Sequence, residues 1–309
     1  GISNPNSIPM NKIVNMKNKN LILTPYYFLL PGFIFLIIWL IYPMLKALQI
    51  SFYDWNFIDS AKNVFVGLTN YLRAFQDVIF LSSFKNTIVY AIVTVSGQLI
   101  LGLAVALAVD RITYGKVFFR TAYYLPVVTS WVVCSLLFKF LFNSSSSGLI
   151  NYALIDILHV IETGIPWLNE PETAFLALFT LGIWKGVGWT MVIFLAALQS
   201  ISKELHEAAQ IDGANEWQII KHITIPIISP TIVLVSIMLT IGAFQTYIPI
   251  NLITNGGPVH RTEVILSYMY NQAFTNWDFG YASALSYILI IIVFLISQFQ
   301  IKMNNKFEN

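Results

Sequence analysis

Charge is scarce in this sequence. Of 309 residues, 10% are Asp, Glu, Lys or Arg, where a soluble globule carries roughly 25%. Hydrophobic residues make up 57%, and the mean hydropathy is +0.69. These values exclude an ordinary soluble globule and point to an integral membrane protein. Cysteine is scarcer still. Cys134 stands alone inside an apolar run, so an internal disulfide is excluded and an inert buried thiol is expected. No basic cluster interleaved with aromatics is present, and a net charge of +2 gives no reason to expect a nucleic-acid partner. No cleavable signal peptide is read, because the first apolar run is too long and further runs follow. Residues 1–9, ahead of Met10, fit a vector-derived remnant.

Catalytic constellations are missing as well. No G-x-x-x-x-G-K-[ST] phosphate loop exists; Tyr114-Gly115-Lys116 is the nearest fragment and lacks both the earlier glycine and the hydroxyl. No H-E-x-x-H, G-x-S-x-G or cysteine–histidine cluster is found. His159, His206, His222 and His260 all fall in predicted loops. The chain is therefore expected to be no enzyme, with no catalytic residue and no metal site. All 15 acidic residues lie outside the apolar runs. That weighs against a proton- or sodium-driven carrier, which usually needs a carboxylate at membrane depth. The paired broken helices of such carriers are not evident either.

What the sequence does have is apolar length. Six runs, 26–52, 87–109, 118–142, 174–198, 227–248 and 279–299, are each long enough to cross a hydrocarbon core of ~30 Å. Pro31 and Pro43 fall within the first run, and Pro126 interrupts the third. Only helices satisfy an open chain's backbone in lipid, so the fold class is an all-α integral membrane bundle of six transmembrane helices. One side would carry Lys12, Lys17, Lys19, Arg111, Lys116, Arg120, Lys203, Lys221, Lys302 and Lys306; the other has only Lys62, Arg73, Lys85 and Arg261. The first side is read as cytoplasmic, with both termini on it. The loop 143–173 then faces outward and opens on a flexible Ser144-Ser145-Ser146-Ser147-Gly148. Trp39, Tyr42, Trp55, Tyr123, Tyr124, Trp131, Trp277 and Tyr281 fall near predicted interfaces and read mostly as aromatic-belt residues.

Lys185 is the charged side chain deepest in a run, in Gly182-Ile183-Trp184-Lys185-Gly186-Val187-Gly188-Trp189. A lysine there costs ~2.5–3.5 kcal/mol on the insertion scale, so it should face a cavity or a partner. Two readings stand. In one, Trp184, Lys185 and Trp189 line a passage whose indole faces suit sugar rings, and the cation favours an acidic saccharide. Lys185→Met would then weaken the passage of an acidic sugar. In the other, the lysine bonds to carbonyls of a neighbouring helix and the tryptophans are packing. Thr129, Ser130 and Trp131, after the Pro126 kink, and Gln245 and Tyr247, late in the fifth run, could line the same passage.

One polar island interrupts the apolar pattern: Glu207-Ala208-Ala209-Gln210-Ile211-Asp212-Gly213-Ala214, continuing to Pro226. It reads as two short helices, the first N-capped by Ser202 and the second by Asn215, with Gly213 at the break. Ala208, Ala209, Gly213 and Ala214 form a low surface that another protein could approach closely. This E-A-A-x-x-D-G-A with a later I-x-x-P at Ile223 and Pro226 resembles the signature of bacterial binding-protein-dependent ABC importer permeases, whose cytoplasmic coupling helix docks on the ATPase subunit. Leu252-Ile253-Thr254-Asn255-Gly256-Gly257-Pro258, Phe279-Gly280-Tyr281-Ala282-Ser283-Ala284 and Arg120 with Leu125-Pro126 resemble the sugar (maltose and glycerol-phosphate) branch.

The resemblance implies a type I importer permease fold and a subunit that translocates a saccharide by alternating access. It also implies a second, homologous permease in a heterodimer, two ATP-binding cassette subunits that hold ATP and Mg, and an extracytoplasmic solute-binding protein. Glu207, Ala208, Ala209, Asp212, Gly213 and Ala214 would meet the ATPase, and Gly256, Gly257 and Pro258 the binding protein. This chain itself would bind no cofactor. The segments are read as a cytoplasmic tail (1–23), a first helix with its outer loop (24–81), a permease core (82–300, coupling segment 202–225) and a tail (301–309), in a bacterial inner membrane. The maltose-type partner has further N-terminal spans and a large outer domain, which are not matched here. The rival class is a carrier or channel with no ATPase; a membrane enzyme ranks third.

Overall fold

The computed structural model describes residues 25–56, 59–145 and 148–305. The expected tail 1–23, including residues 1–9, and Ser146, Ser147 and Lys306 lie outside the described residues. The helices that build the bundle, in chain order, are α1 (Pro25–Ser51), α2 (Thr69–Gln76), α3 (Val78–Arg111), α4 (Lys116–Val128), α5 (Trp131–Leu141), α6 (Pro171–Leu198), α7 (Lys203–Ile211), α8 (Glu216–Phe244), α9 (Ile265–Phe274) and α10 (Phe279–Asn305), and two short helical stretches, 149–157 and 248–254, lie in the connections. A two-stranded ribbon, β1 (Tyr53–Asp54) with β2 (Val64–Phe65), sits between α1 and α2. Helices α1, α3, α6, α8 and α10 are long and apolar enough to cross a membrane, and α4 with α5, bent at a short break, are so as a pair.

The most buried span is α6, which packs against α3, α4 and α8. Its alanines and glycines permit this: Ala174, Ala177, Gly182 and Gly188 are buried among Leu178, Leu181, Met191 and Phe194. Small residues are the usual means of close helix approach in lipid, where no hydrophobic drive acts between helices. By contrast, α1 buries none of its apolar window and meets the bundle mainly through α10.

Three boundaries differ from the sequence expectation. The third crossing breaks at Thr129 and Ser130, not at Pro126, and its two halves meet at 93°. Pro126 stays inside the last turn of α4; the chain leaves the helix because Thr129 is extended and Ser130 caps α5 through the Val132 N–H at 3.3 Å. The second short helix of the polar island does not stop before the fifth crossing. It runs on into α8 through a wide turn, Ile220–Thr224, directly before Pro226. Proline cannot supply its N–H to the ladder, and the wide turn takes up that mismatch. Finally, α8 ends at Phe244; Gln245–Tyr247 are not helical, and the chain becomes helical again at Ile248. Pro249 then falls in the first turn of the next helical stretch, where a missing N–H costs nothing.

Two of the expected belt aromatics are not belt residues. Tyr281 is fully buried, and its hydroxyl donates to Asp77 at 2.7 Å. Trp131 lies at the broken crossing, beside Lys185. Asp77 is the N-cap of α3, accepting from the Ile79 and Phe80 N–H groups at 2.9 and 3.2 Å, and it also accepts from Tyr268 at 2.5 Å. Burial opposes its charge, but the two tyrosine hydroxyls and the two backbone N–H groups outweigh burial and hold it below the usual carboxylate value. A depressed carboxylate stabilises the fold above its unfolded value, near pH ~3.9, and that contribution is lost as pH falls through the folded value. Asp77→Ala is expected to cost about 2–4 kcal/mol, from lost charge-assisted bonds and a lost cap. Thermal inactivation of the solubilised chain at neutral pH should then come several degrees earlier, and the gap from wild type should narrow below pH 4. Beside this group, Arg73 pairs with Asp278 at 2.6 Å and lies over the Tyr281 ring at 4.0 Å, tying α2 to α10.

Part of the loop 143–173 is firmly built. Asn151 is fully buried; it donates to the carbonyls of Asn143, Ser145 and Ile165 and accepts from the Ile165 N–H and the Trp167 indole. Composition gave no sign of this anchor, because an asparagine in a loop looks the same whether it is buried or not.

Candidate functional site

Helix α3 sets the scale of the site. Near one end, Asn86 donates to the carbonyls of Arg261 and Glu263, both at 2.9 Å, and so holds the loop after Thr254. At the other end, Arg111 pairs with Glu216 at 2.5 Å and holds the polar island. Residues 86 and 111 are about 37 Å apart at 1.5 Å per residue, more than a hydrocarbon core of ~30 Å. The polar island and the Gly256–Pro258 turn therefore sit on opposite faces of the membrane.

On the island's face, α7 is capped at Ser202, whose side chain accepts from the Glu204 N–H at 3.2 Å. It ends in a glycine-terminated turn: Ala214 N–H bonds Ala209 O at 2.9 Å and Gly213 N–H bonds Gln210 O at 3.0 Å. Gly213 has φ +82°, a backbone region that costs other residues energy, and a Cβ there would meet nothing within 4 Å. Its role within the chain is thus the turn, not close packing. Asn215 and Gln218 form a reciprocal cap on the next helix. No residue of α7 is buried: Glu207, Ala208, Asp212 and Gly213 are exposed, and Ala209 and Ala214 are half-buried. Sequence reasoning missed the apolar side chains beside them, Leu205, Ile211 and Trp217, which are also exposed. Large apolar side chains in an otherwise polar island were the available signal.

On the opposite face, Gly256 (φ +74°) packs on the buried Glu263 carboxylate, which accepts from His260 Nδ1 in its protonated-nitrogen form at 3.0 Å. The Thr262 hydroxyl donates to Gly257 O at 2.6 Å. Pro258 is half-buried, and Val259 beside it is exposed.

Between the faces lies a cavity of about 520 Å³. Tyr90, Thr94 and Gln98 line it from α3, one turn apart on a single face. Helix α6 contributes Gly182, Gly186 and Trp189; α5 contributes Trp131; and the non-helical stretch after α8 contributes Gln245, Thr246 and Tyr247. Irregular backbone at membrane depth is tolerated where it lines a cavity, and that is where α8 ends. A Cβ at Gly186 would overlap the Gln98 amide and displace that side chain. Tyr90 bonds Thr246, and the Tyr247 and Tyr270 rings lie 4.7 Å apart. No charged side chain occurs among the described residues lining this cavity.

Of the residues expected to form a passage, the structure gathers Trp131, Trp189, Gln245 and Tyr247. It adds Tyr90, Thr94, Gln98 and Thr246, which sequence reasoning missed; the polar i, i+4, i+8 stripe in the second run was the signal for three of them. Trp184 is not there. It packs on Phe138 at 5.5 Å and lines a separate apolar recess with Leu101, Tyr123 and Pro126. Thr129 and Ser130 form the break between α4 and α5 and do not line the cavity. Lys185 does not line it either. Its side chain is 4% exposed, and its ammonium donates to the carbonyls of Pro126, Val127 and Thr129 at 2.7, 3.3 and 2.5 Å.

Two opposed faces with a cavity between them, apolar in the main and dotted with amides and hydroxyls, suit a membrane conduit, and comparison with known proteins gives the family. The model of the family described as "Binding-protein-dependent transport system inner membrane component" matches residues 98–302. The chain belongs to this family. The permease is similar to the probable ABC transporter permease protein YurN of Bacillus subtilis, with 34% identity over 289 residues, 93% of this chain and 97% of that protein. It is similar to the multiple sugar-binding transport system permease protein MsmF of Streptococcus mutans, with 33% identity over 281 residues, 91% and 95% of the two chains. Among solved structures, a chain of a bacterial ABC transporter involved in the import of the acidic polysaccharide alginate superposes with a TM-score of 0.80 at 26% identity, covering 96% of the permease and 99% of that chain. The permease is therefore a multi-pass membrane subunit of an ABC transporter, with the type I importer fold.

Proposed function

We propose that this permease forms one half of the conduit of an ATP-driven, binding-protein-dependent importer for a saccharide. The observation that carries the reading is the cavity between the two faces. It joins indole and phenol rings to amides and hydroxyls without a charge, and that combination suits sugar rings, which present apolar faces and hydroxyl edges. The sugar-system name of MsmF and the alginate importer support the substrate class. An acidic oligosaccharide would draw its counter-charge from the second permease, since this chain's wall offers none.

The remaining parts follow from the two faces. The α7 face, with Arg111, Lys116, Arg120, Lys203, Lys221 and Lys302 near it, is cytoplasmic. There Glu207 and Asp212 make polar contacts with an ATP-binding cassette subunit, and Ala208, Ala209 and Ala214 let its groove approach. A homologous permease completes the conduit, and a solute-binding protein meets the turn at Gly256, Gly257 and Pro258. ATP and Mg bind the cassette subunits, and this chain performs no catalysis. When two cassette subunits close on ATP, the docked α7 elements move with them and the cavity changes from inward to outward access; hydrolysis resets it.

The test is reconstitution in vesicles with the second permease and the cassette pair. Binding protein loaded with the correct sugar should raise ATP hydrolysis at least about fivefold and drive uptake, and unloaded protein should not. Sugar uptake by this chain alone, driven by an ion gradient, would establish a carrier with no ATPase instead.

A further inference from the structure

The 93° break between α4 and α5 creates a problem that the sequence solves with one residue. A helix end leaves carbonyls without partners, and lipid offers no water to meet them. At the end of α4 the Thr129 hydroxyl meets the Leu125 carbonyl, and the Lys185 ammonium donates to the carbonyls of Pro126 and Val127 and to that of Thr129 at the break itself. An ammonium has three donors and no acceptor, so its capacity is filled. Its charge lies 4.9 Å from the centre of the Trp131 ring, in position for a cation–π contact. Three residues further along α6, Gly188 lets the α4 backbone lie directly on it, where a Cβ would overlap the Tyr123 carbonyl.

We propose that Lys185 is a positioning residue: it pins the elbow between α4 and α5 and thereby fixes Trp131 in the cavity wall. It acts through the backbone and the indole and does not touch the cargo. The elbow stands on geometry alone; its consequence for transport rests on the sugar-conduit reading above. Loss of the pin should slow transport of neutral and acidic saccharides alike, whereas a lysine that contacts cargo would matter for acidic ones alone.

The chain supplies its own reporter. Cys134 is its single cysteine, lies on α5 three residues past Trp131, and is 1% exposed. In the complete importer in membranes, modification of Cys134 by N-ethylmaleimide is read as a mass shift of this chain. Lys185→Met should speed that modification at least about tenfold, and Lys185→Arg, which keeps charge and donors, should stay within about threefold of wild type. If the methionine variant does not assemble, Lys185→Gln, with two donors, should give an increase of about threefold. Protection unchanged in both Lys185→Met and Lys185→Gln would overturn the pin, as would a loss of uptake confined to uronic-acid oligosaccharides with neutral maltooligosaccharides unaffected. Trp131→Ala separates the two levels. Normal uptake in that variant would remove Trp131 from the conduit wall, and with it the pin's role in transport, while the labelling result still decides the elbow.

Discussion

Glu207→Lys combined with Gly213→Asp is expected to lower uptake at least about 100-fold, with insertion and pairing with the second permease retained. The separation of effects follows from the geometry. Glu207 is exposed, so reversing its charge disturbs nothing inside the chain. A side chain at Gly213 meets open space, and its cost within the chain is the left-handed backbone, roughly 1–2 kcal/mol. Both changes act on a surface that covers nothing in this chain and that presents Leu205, Ile211 and Trp217 to a partner. A loss of 100-fold corresponds to about 2.7 kcal/mol, within the range of a few central contacts in an interface. Uptake by membrane vesicles, with co-purification of the second permease as the control for folding, checks it. Surviving uptake would remove α7 from the coupling path.

Removing both indoles that face the cavity, Trp131→Ala with Trp189→Ala, is expected to lower the maximal uptake rate at least about tenfold. Each ring contributes on the order of 1 kcal/mol of stacking beyond its buried area, and both line the cavity, Trp131 from α5 and Trp189 from α6. The half-saturating sugar concentration should change little, because the binding protein captures the sugar before the conduit meets it. A rise in half-saturation at unchanged maximal rate would place the rings outside the translocation step. Gly186→Val should resemble the double variant, since it displaces Gln98 into the same space.

The sequence was legible where one physical requirement dominates. Hydrocarbon thickness demands long apolar runs, so the crossings were visible, and Ser202 and Asn215 were recognisable as caps because few residue types serve there. The termini of the crossings were less legible. Pro126 looked like the breaking point, yet the helix continues past it to Val128, and the break falls at Thr129, where Lys185 can meet the freed carbonyls. The wall of the cavity was half visible. Trp131, Trp189, Gln245 and Tyr247 stand out as aromatic or polar residues in apolar runs, whereas which of them converge depends on where α8 stops. Lys185 was conspicuous for its charge, and sequence left two roles open because charge at depth needs a partner of either kind, cargo or carbonyl. Asn151 and Asp77 were invisible for the opposite reason, since polar residues in loops are ordinary until their burial is known.

The most direct measurement is a cross-link from α7. With Cys134 replaced by serine and cysteine placed at Ala208, the importer in native membranes is treated with a short bifunctional thiol reagent, with and without ATP. A conduit driven through α7 predicts a covalent product between this chain and the cassette subunit, with a yield that changes when ATP is bound, and no labelling of the introduced cysteine by impermeant reagents from outside intact cells. Labelling from outside, or free access from inside with no cassette product in either state, would contradict it.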